Sequence, residues 1–260
     1  MNDTTGDRRS GRSYERMQGL AKGLAVLECF VGGHDRLTAA DAARMAGLTR
    51  AAARRCLLTL VDLGYLTYDG KFFRPLPKML RIGGAYLTGN PLPQHAQAIL
   101  GAARDRIGES VSLAILDGPN AVFVARAAVP RLVSTGVNVG AALPAYCSAT
   151  GRVLLTGLSD DEVRARLEQT PLVALTPRTR TDLASLLEVV QAVRREGFAL
   201  VEEELELGMR SLAVPVRDRE GRVVAAMSVS ASSARVSSAV MTQEFLPVLR
   251  QFSETLGGRL

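Results

Sequence analysis

The first apolar residues of the chain recur at helical spacing. Between Met17 and Phe30 they fall at positions 17, 20, 24, 27 and 30. These steps of three and four place them on one face and predict an amphipathic helix. Gly32-Gly33 is expected to end it.

The next segment predicts two helices separated by a tight turn. Thr38 is placed to cap a helix that runs to Ala46, and Gly47 suits the left-handed residue that ends it. Thr49 then caps another helix, which ends at Gly64. The pattern is that of a helix-turn-helix.

A short hairpin is predicted directly after these helices. Tyr65–Tyr68 and Lys71–Arg74 have strand propensity, and Asp69-Gly70 between them indicates a two-residue turn. Pro75 and Pro77 are expected to break the ladder. A hairpin in this place is a wing, so residues 14–77 are predicted to form a winged helix-turn-helix domain.

The remainder of the chain mixes helices with strands. Residues 78–91 predict a linker helix closed by Pro91 and Pro93, and residues 92–260 predict a second domain. Hairpin turns at Asp117-Gly118 and Glu220-Gly221 join several of its strands. This arrangement predicts an α+β fold with an antiparallel sheet. The predicted strands are 111–116, 121–127, 132–137, 198–201, 211–216 and 223–230, and the helices are 92–107, 149–157, 160–168, 182–196 and 241–256.

The helix after Thr49 has two unlike sides at 100° per residue. Its inner side gathers Ala53, Cys56, Leu57, Leu60 and Leu63, and its outer side carries Ala51, Arg54, Arg55 and Leu58, with Arg50 at the leading end. Arginines separated by small residues suit a DNA groove, since arginine contacts phosphate and guanine. The alternative is a solvated arginine-rich face. The predicted DNA-contacting residues are Thr38, Thr49, Arg50, Ala51, Arg54, Arg55, Lys71 and Arg74.

The charge distribution favours a polyanionic partner for the first domain. Residues 1–80 hold 13 Lys+Arg and 8 Asp+Glu, so +5 of the net charge of +6 lies there. Residues 1–13 are predicted to be a flexible tail, whose arginines 8, 9 and 12 are expected to be solvated.

The composition also argues against several classes of protein. No run approaches the ~18 apolar residues of a membrane span, and the polar N-terminus has no signal core, so a soluble cytoplasmic protein is expected. Three separated cysteines favour buried thiols over disulfides, and two histidines do not make a His-rich metal site. With no nucleophile–base pair, Walker motif or Rossmann motif, we predict neither an enzyme nor a cofactor.

A late strand carries polar residues within an apolar run. In VVAAMSVSAS, alternation places Ser228 and Ser230 on one face with Ala226. Buried hydroxyls require partners. Those partners are either backbone groups or a ligand in a small-molecule pocket.

At this point the sequence resembles a known family. The segments MQGLAKGLAVLECF, GLTRAAARRCLLTLVDLGYLTYDGKFFRP, LPAYCSATGRVLL and EGFALVEEELELGMRSLAVPVRDREGRVVAAMSVS resemble IclR-type bacterial transcription regulators from about residue 14 to 255. The amino-acid sequence of these segments is most similar to that of the PcaR/PcaU/PobR subgroup, which regulates aromatic-acid catabolism. The resemblance implies a GAF/profilin-like effector domain, double-stranded operator DNA and a homodimer or homotetramer.

The resemblance also implies an effector site for a small organic acid, aromatic or derived from aromatic breakdown. The matching positions are Tyr146, Ser148, Ala149, Thr150, Val201, Met209, Ser211, Ser228 and Ser230. Val201 stands where many members have an acid, and Tyr146 replaces a frequent histidine and is expected in the pocket wall. Arg126 and Arg210 are candidate anion partners, with surface or ion-pair roles as the favoured interpretation.

Other functions stay open at the level of sequence. The effector could belong to another pathway, or the second domain could be empty and leave a constitutive DNA-binding or interaction module. An enzyme with an attached DNA-binding domain is a further alternative, for which Cys147 is the candidate nucleophile.

Overall fold

The helices and strands of the chain belong to two compact units. A computed structural model describes residues 17–31, 33–130 and 137–260. Backbone contacts divide the chain between Ile82 and Gly83. The predicted tail, Gly32 and most of the strand predicted over 132–137 lie outside the described residues.

The first unit has the predicted helix-turn-helix followed by a hairpin. Its elements are α1 (Gln18–Glu28), α2 (Ala39–Met45), α3 (Arg50–Asp62), β1 (Leu66–Tyr68) and β2 (Phe73–Pro75). Thr38 and Thr49 cap α2 and α3 as predicted, and Gly47 between the helices has φ +63°. Leu57, Leu66 and Phe73 are fully buried at the centre of its core.

The hairpin loop is longer than predicted. Tyr68 pairs with Phe73, so four residues separate the strands and the expected two-residue turn is wrong. The Asp69 carboxylate accepts hydrogen bonds from the backbone N–H groups of Lys71 (3.0 Å) and Phe72 (2.7 Å). This side chain therefore organises the wider loop.

One other expectation fails at the end of a helix. Leu63, predicted on the inner side of α3, is 54% exposed because α3 ends at Asp62 and the core lies below Leu60. The linker helix ends at Gly89, directly before Pro91 and Pro93, and both prolines lie in the first turn of the following helix with Asn90 as its N-cap. Proline fits there because first-turn N–H groups have no intrahelical partner.

The second unit is built on one antiparallel sheet. Its strands have the order β5-β4-β3-β8-β7-β6. An α+β fold with an antiparallel sheet is therefore confirmed, although β5 was not predicted. The strands are β3 (Val111–Asp117), β4 (Asn120–Ala127), β5 (Ala142–Pro144), β6 (Ala199–Glu202), β7 (Met209–Arg217) and β8 (Val223–Ser232).

Helices cover both faces of this sheet. One face packs against α5 and α10, and the other against α6, with α8 beside it and α7 against α8. No helix in the described ranges is long and apolar enough to cross a membrane. The helices are α4 (Leu80–Gly89), α5 (Pro91–Ile107), α6 (Ala149–Leu155), α7 (Asp160–Glu168), α8 (Leu183–Glu196), α9 (Ser238–Val240) and α10 (Leu246–Gly257), and a π-helical turn, Met241–Phe245, joins the last two.

Candidate functional site

The outer side of α3 presents unpaired cations. Arg50, Arg54 and Arg55 are exposed, and within the described part of the chain none of them lies at ion-pair distance from a carboxylate. Ala51 is also exposed, whereas Leu57 on the opposite side is buried. The helix thus offers free guanidinium groups on a surface that small residues leave accessible.

The two threonines of the predicted set act as helix caps. The Thr38 hydroxyl donates to the Asp41 carboxylate (2.7 Å) and accepts from the Asp41 N–H (3.2 Å), which completes a capping box. The Thr49 hydroxyl is exposed and accepts from the Ala52 N–H (3.3 Å). Thr49 retains a hydroxyl proton for an outside acceptor, and Thr38 does not.

Three cations lie around the wing, namely the predicted Lys71 and Arg74 and, in addition, Arg36. Arg74 lies 3.7 Å from Asp35 and 3.8 Å from Asp69, so its charge is partly compensated. Lys71 and Arg36 lie 5.0 and 4.6 Å from the centre of the Phe72 ring. The sequence analysis missed Arg36 because it precedes α2, far from the wing along the chain.

The second unit contains a cavity of ≈720 Å³ beside the start of α6. Its apolar lining includes Phe123, Val129, Val137, Leu143, Leu175 and Leu205. Seven of the nine residues predicted from the resemblance also line it, namely Ser148, Ala149, Thr150, Met209, Ser211, Ser228 and Ser230.

Serines form a row on the cavity side of the sheet. Ser112 is opposite Ser228 across β3 and β8, and Ser211 is opposite Ser230 across β7 and β8, with hydroxyl oxygens 2.9 Å apart. Cross-strand partners share a face of the sheet.

Two buried residues present hydroxyls to the cavity that have no partner among the described residues. Ser228 and Thr150 are 4% and 3% exposed, and neither side chain hydrogen-bonds to another residue in the described ranges. The backbone partners considered for Ser228 are therefore not observed there. The Ser148 hydroxyl, by contrast, is committed to the backbone, donating to the Pro144 carbonyl (2.8 Å) and accepting from the Gly151 N–H (3.1 Å).

The other two residues of the predicted set, Tyr146 and Val201, do not line the cavity. Tyr146 is buried among residues of α6, α7 and α8, and its hydroxyl donates to the Val173 carbonyl (2.6 Å). Burial raises the pKa of this phenol. Val201 lies on the cavity face of the sheet but packs against Ala149 and Val193.

Arg126 is a cavity residue that the sequence analysis undervalued. Its side chain is half-buried in the lining, with Nη1 3.5 Å from the Ser112 hydroxyl, and forms no ion pair with a described carboxylate. Burial lowers its pKa. Arg210, the other candidate, is already paired with Glu202. The signal available in the sequence was inward alternation along β4, which a β-bulge in β4 itself, with Val124 as the extra residue, obscures.

The same cavity has a compensated charge pair at its edge. Arg235 contacts the carboxylate of Glu109, which is buried, and both residues line the cavity. Arg126 therefore differs from Arg235, because it forms no ion pair with a carboxylate of the described residues. An arginine of this kind beside serines can bind an organic anion within apolar walls.

The described residues contain no cluster of His, Cys, Asp and Glu that could hold a metal. Cys147 is fully buried, and burial raises its pKa to about 11. Its thiol is therefore protonated at neutral pH and is a poor nucleophile.

Comparisons with known proteins agree with this arrangement. Residues 19–70 match the IclR helix-turn-helix domain, and residues 84–257 match the family described as bacterial transcriptional regulator IclR C-terminal. The Pca regulon regulatory protein of Pseudomonas putida is 43% identical over 92% of this chain and 83% of its own length.

Two further similar proteins are associated with hydroxybenzoate. The p-hydroxybenzoate hydroxylase transcriptional activator of Acinetobacter baylyi is 38% identical over 94% of this chain and 92% of its own length. The solved structure of an IclR homologue from Microbacterium hydrocarbonoxydans complexed with 4-hydroxybenzoate is 27% identical, with a TM-score of 0.75, and covers 92% of this chain and 97% of that chain.

Proposed function

Because this chain belongs to the IclR family of bacterial transcriptional regulators, we propose that it controls genes of aromatic-acid catabolism in response to a small organic acid. The proposed parts are a tail (1–13), a DNA-binding domain (14–77), a linker helix (78–91) and an effector domain (92–260). Its partner is operator DNA, so it acts in the cytoplasm at the nucleoid, and it is not an enzyme.

The observation that carries the effector assignment is Arg126. A carboxylate placed at its guanidinium would form charge-assisted hydrogen bonds, which are about twice as strong as neutral ones. Ser112, Ser228 and Thr150 can orient the remaining polar groups, and Phe123 with Leu175 offers apolar walls to a ring. The proposed effector is therefore an aromatic acid with one carboxylate and further hydroxyl groups.

On the DNA side, α3 is proposed to enter the major groove. Its exposed Arg50, Arg54 and Arg55 would contact guanine edges or phosphates, and Lys71 of the wing would contact the backbone.

The regulator is proposed to act as a homodimer or homotetramer on a roughly palindromic operator. Support comes from an apolar stripe on α1, where Met17, Leu20 and Leu24 are 74%, 59% and 49% exposed at helical spacing. A second copy presenting the same stripe would bury it symmetrically.

A thermal-shift titration with 4-hydroxybenzoate, protocatechuate and β-ketoadipate tests the effector. A saturable rise of Tm is expected for at least one acid, by mass action. The same acid must change the affinity for DNA upstream of the adjacent genes in a gel shift. Effector and operator would then be coupled through one protein.

Two outcomes favour other functions. If aromatic acids leave the Tm unchanged and a different small acid raises it, the regulator belongs to another pathway. If no acid of a broad panel changes the Tm, a constitutive DNA-binding module is favoured. Turnover lost on modification of Cys147 would indicate an enzyme, which the protonated state of that thiol argues against.

A further inference from the structure

A buried ion pair lies behind the cavity without touching it. Arg152 on α6 and Glu204 are 3% and 6% exposed, and neither lines the cavity. The two guanidinium NH₂ groups each donate to one carboxylate oxygen at 2.7 Å, and Nε donates to the Tyr146 carbonyl at 2.9 Å. All three bonds hold Arg152 in one orientation.

Glu204 connects this pair to two chain segments, here called the wall segments (residues 172–180 and 203–208). Its carboxylate accepts from the Arg180 N–H (3.0 Å), and its carbonyl accepts from the Thr179 hydroxyl (2.6 Å). The neighbouring Glu203 carbonyl accepts from the Thr176 hydroxyl (2.6 Å). The wall segments are thus fastened to each other and, through Glu204, to α6.

Each of the three connected parts supplies a residue to the cavity. Leu175 belongs to the first wall segment, Leu205 and Glu206 to the second, and Thr150 to α6. Leu175 precedes Thr176, and Leu205 follows Glu204, so cavity residues are direct neighbours of those in the bonded network. A shift of Glu204 relative to Arg152 would therefore move the apolar wall.

A buried ion pair is better suited to fixing the relative placement of two chain segments than to stabilising the fold. A buried ion pair loses hydration that its attraction often does not recover, and an apolar pair of similar volume is frequently at least as stable. The planar fork of Arg with a carboxylate, however, permits only one relative placement. Apolar contacts between the same parts would permit sliding.

We propose that the Arg152–Glu204 pair is a positioning element of the effector cavity, which fixes both wall segments against α6. Effector affinity then depends on two residues that the effector does not touch. This inference rests on the proposed effector role of the cavity.

The test uses full-length protein and a variant designed to keep the fold. Arg152→Met combined with Glu204→Leu removes the fork and retains buried volume, and Glu204→Gln alone keeps the shape and removes the charge. The control is Arg222→Gln, which breaks the ion pair between the exposed Arg222 and Asp218 in the β7–β8 loop, away from the cavity. Melting curves and effector-free operator binding report on the fold.

Two measurements are then compared. Amide hydrogen exchange in effector-free protein is expected to rise in residues 172–180 and 203–208 of the double variant and to stay unchanged in β3 and β8. The Kd for 4-hydroxybenzoate, by calorimetry, is expected to weaken about 3- to 30-fold, the range for residues that act without contacting the ligand. The control variant should match the unmodified protein in both.

Where the unmodified protein binds the acid, the inference requires both the rise in exchange and the loss of affinity. It is overturned if exchange in the wall segments is unaltered, and equally if exchange rises while affinity stays the same, because the pair would then be only structural. If the unmodified protein binds none of 4-hydroxybenzoate, protocatechuate and β-ketoadipate, the proposed effector fails. Exchange alone then decides whether the pair positions the wall.

Discussion

The guanidinium of Arg126 lies 3.5 Å from the hydroxyl of Ser112, its partner across β3 and β4. Ser112 is itself paired with Ser228 on the next strand. A cation and two hydroxyls therefore follow one line across three strands. Arginine stays charged at neutral pH even where burial lowers its pKa.

Arg126→Gln is expected to weaken binding of 4-hydroxybenzoate by roughly 1.5–3 kcal/mol, the range for hydrogen bonds to charged groups. The reason is loss of the cation that meets the carboxylate. Calorimetric titration measures the Kd, with the exposed Arg106→Gln as a control of equal charge change. An unaltered Kd in Arg126→Gln would remove this residue from the site.

Ser228→Ala is expected to separate ligand binding from stability. Ser228 is a buried residue whose hydroxyl opens on the cavity and has no hydrogen bond to a described residue, so its removal should leave Tm unchanged or raise it. Effector affinity should fall by about 0.5–1.5 kcal/mol.

The control for Ser228→Ala is Ser253→Ala, at a buried serine of α10 whose hydroxyl donates to the Arg250 carbonyl (2.9 Å). This change should lower Tm slightly and leave the Kd unaltered. A drop in Tm for Ser228→Ala without any change in Kd would show a structural hydroxyl instead.

Local signals in the sequence predicted the caps and strands well, since these depend on neighbouring residues. Thr38, Thr49 and Gly47 act within a few positions of themselves, and the alternation at Ser228 and Ser230 gives the cavity face directly. The same local signals name Arg126 only as a candidate anion partner and do not indicate Glu109. The roles of these two residues depend on which charged group approaches from elsewhere, such as Arg235, 126 residues after Glu109.

Val201 and Tyr146 lie outside the cavity lining for a related reason, which is how neighbouring elements pack. Val201 has the expected strand position, but α6 and α8 cover it, which only their packing decides. Tyr146 turns towards Val173 because a short 3₁₀ turn, Ala145–Cys147, precedes α6. The family resemblance leads to the right segments in both cases, but these two side chains lie outside the cavity lining.

Gly151→Ala is expected to destabilise the protein by several kcal/mol, since a Cβ there would lie 2.2 Å from the Ala145 Cα and 2.4 Å from its carbonyl oxygen. Chemical denaturation measures the free energy of unfolding. The matched control is Gly101→Ala in the middle of α5, where no atom lies within 4 Å of the new Cβ. This change should stabilise by about 0.5–1 kcal/mol, and equal effects at both positions would contradict the close packing of α6.

We expect the folded protein to lose stability in alkaline solution because of the buried thiol of Cys147. Burial raises its pKa from 9.0 to about 11 in the folded chain. The folded state therefore holds this proton more tightly, so the contribution is present below pH 9 and is lost as the pH rises towards 11. A difference of two pKa units corresponds to about 3 kcal/mol.

The measurement for Cys147 is denaturant unfolding between pH 8 and 11, compared with Cys147→Ala. The variant is expected to be less stable at pH 8 because it leaves a small void, and to lose less stability on the way to pH 11. Parallel curves for the two proteins would show that this thiol does not contribute to the alkaline transition.

Arg54→Ala is expected to weaken operator binding by roughly 1–3 kcal/mol and to relax the preference at one base pair, if its guanidinium meets guanine in the groove. Arg50 and Arg55 flank the same exposed surface. Where either arginine contacts phosphate instead, its removal should weaken binding to all DNA sequences alike. It should also reduce the slope of log affinity against log salt concentration by about one. Gel shifts at several salt concentrations, on operator and on scrambled DNA, distinguish contacts to guanine from contacts to phosphate.

The control is Arg164→Ala on α7, which removes an equal charge from the other unit and should change neither operator affinity nor the salt slope. A triple variant at 50, 54 and 55 that binds the operator as before would exclude α3 as the DNA-reading helix.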